Sequence, residues 1–191
     1  MAGRPRQFDR DEVLGKALRL FWKQGYEATG VAQITTTLGI GRQSLYGTFG
    51  DKRALFIETL KRYADAEQRW LENTLFAPGS PLENLHAVLD HWQEQAGRDQ
   101  YRGCFIAKSS AELARRDAPI ARLLAAFMER TIATFERALD QCIAAGELPA
   151  DSDSRALAKT LLNTAQGLSC AGQVDALFAQ DVVAQTRRLL R

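Results

Sequence analysis

The sequence predicts an all-α fold of about nine helices in two domains, and three observations carry that prediction. Apolar residues recur at three- and four-residue spacing almost throughout the chain, the period of an amphipathic helix. No run of alternating β-branched residues and no Asn-Gly hairpin signal occurs, so nothing points to strands. Capping residues, glycines and prolines fall at the ends of the apolar runs, where helices start and stop.

The first helix opens at Asp9, with Glu12 three residues on. This is a capping-box-like start in which Asp stands in for Ser or Thr. Val13, Leu14, Ala17, Leu18, Phe21 and Trp22 form its apolar stripe. Gly25 is placed to end it, and Tyr26 follows as an anchor for the turn. A short second helix covers about 31–38, with Val31, Ile34 and Leu38 on one side, and Gly39 stops it. Gly41 takes the N-cap of a third helix over about 42–48. Gly50 ends that helix and Asp51 caps a long fourth one over about 52–76. Ser80-Pro81-Leu82-Glu83 is a capping box with proline at the first helical position, so a fifth helix runs to about Gly97. After a polar link, helices follow over about 104–115, 117–145, 154–172 and 177–190. Domains are expected at 1–51 and 52–191, with helix 52–76 linking the two.

Composition narrows the function. The chain has 191 residues and a net charge of only +2. Residues 1–62 carry 11 Lys and Arg against 6 Asp and Glu, while the remainder carries 14 against 17. The positive excess therefore sits in the first third, an electrostatic footprint of an anionic partner, phosphate first among candidates. No run approaches the ~18 apolar residues of a membrane span, and MAGRPRQFD lacks an apolar signal core, so a cytoplasmic location is expected. Cys104, Cys142 and Cys170 are odd in number, far apart and without a C-x-x-C, which argues against a disulfide framework or a structural zinc site. His86 and His91 are five apart and do not share a helical face. No metal or cofactor is expected. Enzyme signatures are missing too. The Gly39-x-Gly41 pair lacks the third glycine of a dinucleotide loop, since Ser44 stands there, and no H-E-x-x-H or Walker lysine occurs.

Two short helices joined by three residues containing Gly39 and Gly41 read as a helix-turn-helix. A helix ~10–12 Å across fits a major groove ~12 Å wide. Side chains at the N-terminal end of the second helix reach base edges. Here those are Arg42, Gln43 and Ser44. Arg can bind guanine bidentately, Gln can bind adenine, and Ser can serve either. Leu45 and Phe49 lie four apart and face inward.

The first ~60 residues resemble the DNA-binding domain of the TetR family of bacterial transcriptional regulators. The resemblance rests on Ala17-x-x-x-Phe21, Gly25-Tyr26-x-x-Thr29, Val31-x-x-Ile34, Leu38-Gly39-Ile40, Ser44-Leu45-Tyr46-x-x-Phe49 and Lys52-x-x-Leu55. It implies an all-helical homodimer that binds a roughly palindromic double-stranded DNA operator. It also implies a C-terminal domain that senses a ligand and releases the DNA, with repression the family default. Carried over by position, Thr29, Tyr46 and Lys52 stand at phosphate-contact positions, and Arg42, Gln43 and Ser44 at base-reading ones. Gly47 and Thr48 stand where the family usually has aromatic, His or Arg side chains. The phosphate or thymine contact expected there is weakened or replaced, and Thr48 is kept among the candidate contacts. Thr35 stands where Ala is usual. Leu157, Leu161, Leu162, Leu168, Val182, Val183, Leu189 and Leu190 lie on the last two helices, which in the family form a four-helix dimer interface. Intrachain core is their other reading. At the N-terminus, Gly3-Arg4-Pro5-Arg6 resembles the core of an AT-hook. An extended arm can place Arg4 and Arg6 in a narrow minor groove; the other reading is a basic tail.

The segment RGCFIAKSSAEL, residues 102–113, is similar to a sequence common in a TetR subgroup that includes NemR-type repressors responding to thiol-reactive electrophiles. The residues carry an independent case. Cys104 follows Gly103 at a helix start, where the macrodipole favours a thiolate, and Lys108 is four residues on. Cys104 with Lys108 is therefore a candidate sensor, or else Cys104 is a small packed residue. Cys142 and Cys170 lack such surroundings and read as packing residues. Trp70, Trp92, Tyr101, Phe105 and Phe127 are candidates to line a ligand pocket or to fill the core. The inducer would be a small molecule or an electrophile. Two function classes stand at this point: a DNA-binding regulator, and a helical protein-interaction module without DNA binding. Gly47 and Thr48 keep the second open.

Overall fold

The protein is described by a computed structural model, which covers residues 8–96, 98 and 101–191. Among the described residues there are nine helices and no strand: α1 (Arg10–Gln24), α2 (Val31–Leu38), α3 (Arg42–Phe49), α4 (Lys52–Leu75), α5 (Pro81–Ala96), α6 (Phe105–Leu113), α7 (Ala118–Ala144), α8 (Ser154–Ala171) and α9 (Ala176–Leu189). The all-α prediction holds. Among the described residues no helix is long and apolar enough to cross a membrane.

The capping chemistry read from the sequence sets the starts. Asp9 Oδ1 accepts from the backbone N–H groups of Asp11 and Glu12 at 2.8 and 3.3 Å, satisfying two otherwise orphaned donors. Glu12 is turned outward and pairs with Lys16 at 2.7 Å. Asp51 caps α4 through the Ala54 N–H at 2.6 Å. Ser80 Oγ accepts from the Glu83 N–H at 3.1 Å, the forward half of a capping box. Asp117, Asp153 and Asp175 cap α7, α8 and α9 in the same way. Gly39 takes a left-handed φ of 68° at the end of α2, where a side chain would be strained.

The chain divides into two compact units, Met1–Ala64 and Asp65–Arg191. The division falls inside α4. Packing gives the reason: Leu55, Phe56, Leu60 and Tyr63 of α4 are buried in the first unit with residues of α1. Phe56 meets Phe21 edge-on at 5.1 Å and Tyr26 at 4.9 Å. Tyr63 meets Trp22 at 5.0 Å. Around these rings lie Val13, Leu14, Ala17 and Leu20 of α1, Ile34 and Leu38 of α2, and Leu45 and Phe49 of α3, all buried. Leu20 joins this core, while Leu18 stays half-buried; the inward face of α1 is turned slightly from the stripe expected. Polar pairs ring it: Arg10 holds Glu58 at 2.5 Å, and Arg62 bonds Asp11. The Arg62 guanidinium holds the Asp11 carboxyl below the usual carboxylate range.

The second unit is built from the rest of α4 and from α5 to α9. Leu71 and Leu75, Leu85, Val88 and Leu89, Phe135 and Leu139, Leu161 and Leu168, and Val183 come from five helices to one core. Beside it, Gln68 of α4 donates to Thr134 Oγ1 of α7 at 2.7 Å, and Arg130 of α7 donates to Asp65 of α4 at 3.0 Å. These are two polar rungs about one helical turn apart. Asn84 ties α5 back to the end of α4 by donating to the Ala77 carbonyl at 2.8 Å.

Candidate nucleic-acid interface

The α2–α3 pair places a polar face on an apolar anchor. Gly39 and Ile40 N–H groups bond back to α2 carbonyls at 3.3 and 3.2 Å, and Ile40 is buried in the turn. Gly41 then serves as the N-cap of α3, in extended backbone. Leu45 has no exposed surface and Phe49 only 4%. These two fix the inward side of α3. Arg42, Gln43, Ser44, Tyr46 and Gly47 are all exposed, and Thr48 is half-buried. Tyr46 is one of the exposed large rings of the chain, at 47%. Arg10 braces the inner side, with its guanidinium 5.2 Å from the Phe49 ring centroid. The three side chains that the sequence nominates for base edges are thus all in solvent in the first turn of the helix.

Lys52 starts α4 with its ammonium 4.2 Å from the centroid of the Tyr26 ring. Such a cation–π contact fixes a charge in one place at little cost in hydration. Sequence reading named both residues but not their pairing, because contacts between residues 26 apart leave no periodic signal.

Thr29 is a correction. Its side chain is fully buried, and its hydroxyl donates to the Gly25 carbonyl at 2.6 Å. It clasps the α1–α2 turn and offers a phosphate nothing. Thr29→Val is expected to lower stability by about 1 kcal/mol through the lost bond, seen as a lower Tm, while the folded chain keeps its duplex affinity. A fall in affinity at unchanged Tm would restore Thr29 as a phosphate contact. Arg4 and Arg6, the proposed minor-groove arm, lie outside the described residues.

The sensor candidates lie in the second unit. Cys104 is half-buried and is the N-cap of α6, in extended backbone, so it precedes the helix by one residue. Lys108 is exposed, and its N–H donates to the Cys104 carbonyl at 3.1 Å. The glycine before the cysteine has a structural cause. Gly103 has a φ of 69°, and a Cβ there would lie 2.2 Å from the Ser169 carbonyl oxygen of α8. Only a residue without a side chain lets the strand of chain leading into α6 lie on α8. Tyr101 is half-buried, and its phenol is pushed up to about 12, by burial first and then by the charges of Cys104 and Glu67. Glu67 is exposed on α4, yet the protein around its carboxyl raises it above the usual range by desolvation. The charges of Cys104 and Glu67 both bear on the Tyr101 phenol. Glu67 had no signal in the sequence, being one of several carboxylates on α4.

The other aromatic candidates have partners of their own. Trp70 lies against His91 at 4.2 Å between centroids, Trp92 meets Phe135 at 5.9 Å, and Phe127 lies under the Arg130 guanidinium at 5.7 Å. Phe105 is fully buried. Trp70, Trp92 and Tyr101 pack on the core of the second unit. Of the other cysteines, Cys142 is fully buried, and burial pushes its thiol up to about 11. Cys170 corrects the sequence reading: it is exposed on α8 and packs no core. The buried side of α8 is formed by Ala158, Leu161, Leu168 and Ser169, and position 170 falls off that stripe. Among the described residues no cluster of His, Cys, Asp and Glu could hold a metal ion.

Known proteins resemble the chain over both units. Residues 13–59 match the family described as bacterial regulatory proteins, tetR family, and residues 81–185 match the tetracyclin repressor-like C-terminal domain. The HTH-type transcriptional repressor ComR of Escherichia coli K12 is 35% identical over 178 residues, covering 90% of this chain and 82% of its own. A cysteine-substituted form of the TetR family regulator CifR, solved with 26-base-pair operator DNA, superposes with a TM-score of 0.88 at 30% identity, covering 99% of this chain and all of that one. The reduced form of NemR from Escherichia coli superposes with a TM-score of 0.86 over 94% of this chain and 95% of its own, at 18% identity; that likeness is one of fold.

Proposed function

The chain belongs to the TetR family of bacterial DNA-binding transcriptional regulators, and from that premise we propose that it is a repressor that grips a palindromic operator through α3 and lets go on sensing a small molecule. The observation that carries the proposal is the α3 face. Arg42, Gln43 and Ser44 are all exposed in the first turn of a helix held by buried Leu45 and Phe49, with Gln43 and Ser44 turned outward and Arg42 flanking Phe49. This is the geometry a recognition helix needs. In this reading Arg42, Gln43 and Ser44 meet base edges. Tyr46, Thr48 and Lys52 meet phosphates, which set register.

One eight-residue helix gives weak recognition alone, so two copies are needed, with α3 helices ~34 Å or a multiple apart. Val174, Leu177, Phe178 and Leu189, in the α8–α9 turn and on α9, are exposed by 89, 67, 46 and 57%. Apolar surface of this kind marks an interface, and it supports a homodimer through the last two helices.

For the inducer, Cys104 is the candidate nucleophile, and its charge bears on the Tyr101 phenol. The test is fluorescence anisotropy on a duplex selected from a randomised pool, before and after treatment with N-ethylmaleimide. Wild type is expected to lose affinity at least several-fold on alkylation, and Cys104→Ser to keep it. Equal loss in both would move the sensor to another thiol, with exposed Cys170 next. Full retention in wild type would send the search to non-covalent ligands.

A further inference from the structure

Gly47 points more directly away from the protein than any other residue of α3. Leu45 and Phe49 are buried and define the inward direction. At about 100° per residue, Gly47 lies about 180° from the mean of those two, with Gln43 about 40° to one side and Ser44 about 60° to the other. The centre of the outward face therefore has no side chain.

Among the described residues nothing calls for glycine there. Position 47 is inside a helix and is not among the residues with positive φ. A Cβ added to it would meet no atom of the described residues within 4 Å. Glycine is among the least favourable residues in an exposed helix interior. A residue that weakens the free helix and relieves no clash takes its reason from what the face meets.

We propose that Gly47 forms a notch that receives a base edge of the major groove, with the thymine C5-methyl as the group that fills it. The proposal rests on reading α3 as the recognition helix. The chemistry selects the methyl. The notch is lined by the Gly47 Cα and by the peptide before it, whose Tyr46 carbonyl already accepts from the Gly50 N–H at 2.9 Å and whose N–H points back along the helix. A base-edge donor or acceptor pressed against it would lose its water and gain no partner. The thymine methyl is the major-groove group that has no hydrogen bond to lose. Seating there also brings the helix axis nearer the groove floor. The short Ser44 hydroxyl and the Gln43 amide, one on each side, then come within reach of the flanking bases.

The test uses the full chain and duplexes selected from a randomised pool by wild type. Gly47→Ala is compared with wild type by anisotropy at fixed salt and by thermal melting. The melt is expected to be unchanged or a few degrees higher, and affinity for the selected duplex to fall roughly tenfold. Selected thymines are then replaced by deoxyuridine one at a time. One position per half-site is expected to weaken wild type several-fold and to leave Gly47→Ala unaffected. Equal affinity of wild type and Gly47→Ala for the selected duplex overturns the notch alone, as does a wild type indifferent to every deoxyuridine. A wild type that enriches no duplex overturns the recognition-helix reading along with it.

Discussion

Phe56→Ala is expected to lower the stability of the first unit by about 3–5 kcal/mol, the cost of emptying a large buried aromatic site. Phe56 has no exposed surface and touches rings from two other segments, Phe21 at 5.1 Å and Tyr26 at 4.9 Å. Those rings belong to α1 and to the turn before α2, so the vacated space cannot be refilled by one local shift. Edge-to-face packing adds to the loss. Lys52 rests on the same Tyr26 ring, so the cavity also frees a charge proposed to meet phosphate. Urea unfolding followed by circular dichroism would show the midpoint falling. An unfolding free energy within about 1 kcal/mol of wild type would mean that α4 is not the keystone of this unit.

Arg42→Ala is expected to act in the opposite way, on binding and not on folding. Arg42 is exposed in the first turn of α3, where the helix macrodipole disfavours a positive charge. Its removal should leave the melting temperature unchanged or slightly higher. If it reads guanine through two hydrogen bonds, affinity for the selected duplex falls by about 1–3 kcal/mol and preference relaxes at one base position. Lys52→Ala makes the contrast. Loss of a phosphate contact weakens all duplexes alike and lowers the salt slope by about one. Selection from a randomised pool with each variant separates the two patterns. If Arg42→Ala enriches the same sequence with the same affinity, base reading moves to Gln43 and Ser44.

The fold was largely legible because its signals are local. Asp9, Asp51 and Ser80 each cap a helix through a bond spanning two or three residues, and such bonds follow from residue type and position. The α2–α3 turn was legible for the same reason, since Gly39 and Gly41 are both needed within three residues. What the sequence hid depends on distant partners. Thr29 stands at a position that suggests phosphate, but its hydroxyl is taken by Gly25. Cys170 differs from Cys142 only in which side of its helix it occupies, and a small shift of stripe decides that. Glu67 bears on the Tyr101 phenol from more than thirty residues away, beyond any periodicity. Gly47 was visible as a departure, yet its place at the centre of the outward face required knowing that Leu45 and Phe49 are both buried.

The measurement that tests the central claim most directly is an anisotropy titration of the full chain against a selected duplex across a salt series. Several phosphate contacts release several counterions, so affinity should fall steeply as salt rises, with a log–log slope of several units. A weak affinity that does not change with salt, for every duplex tried, would contradict the account and leave a helical protein-interaction module in its place.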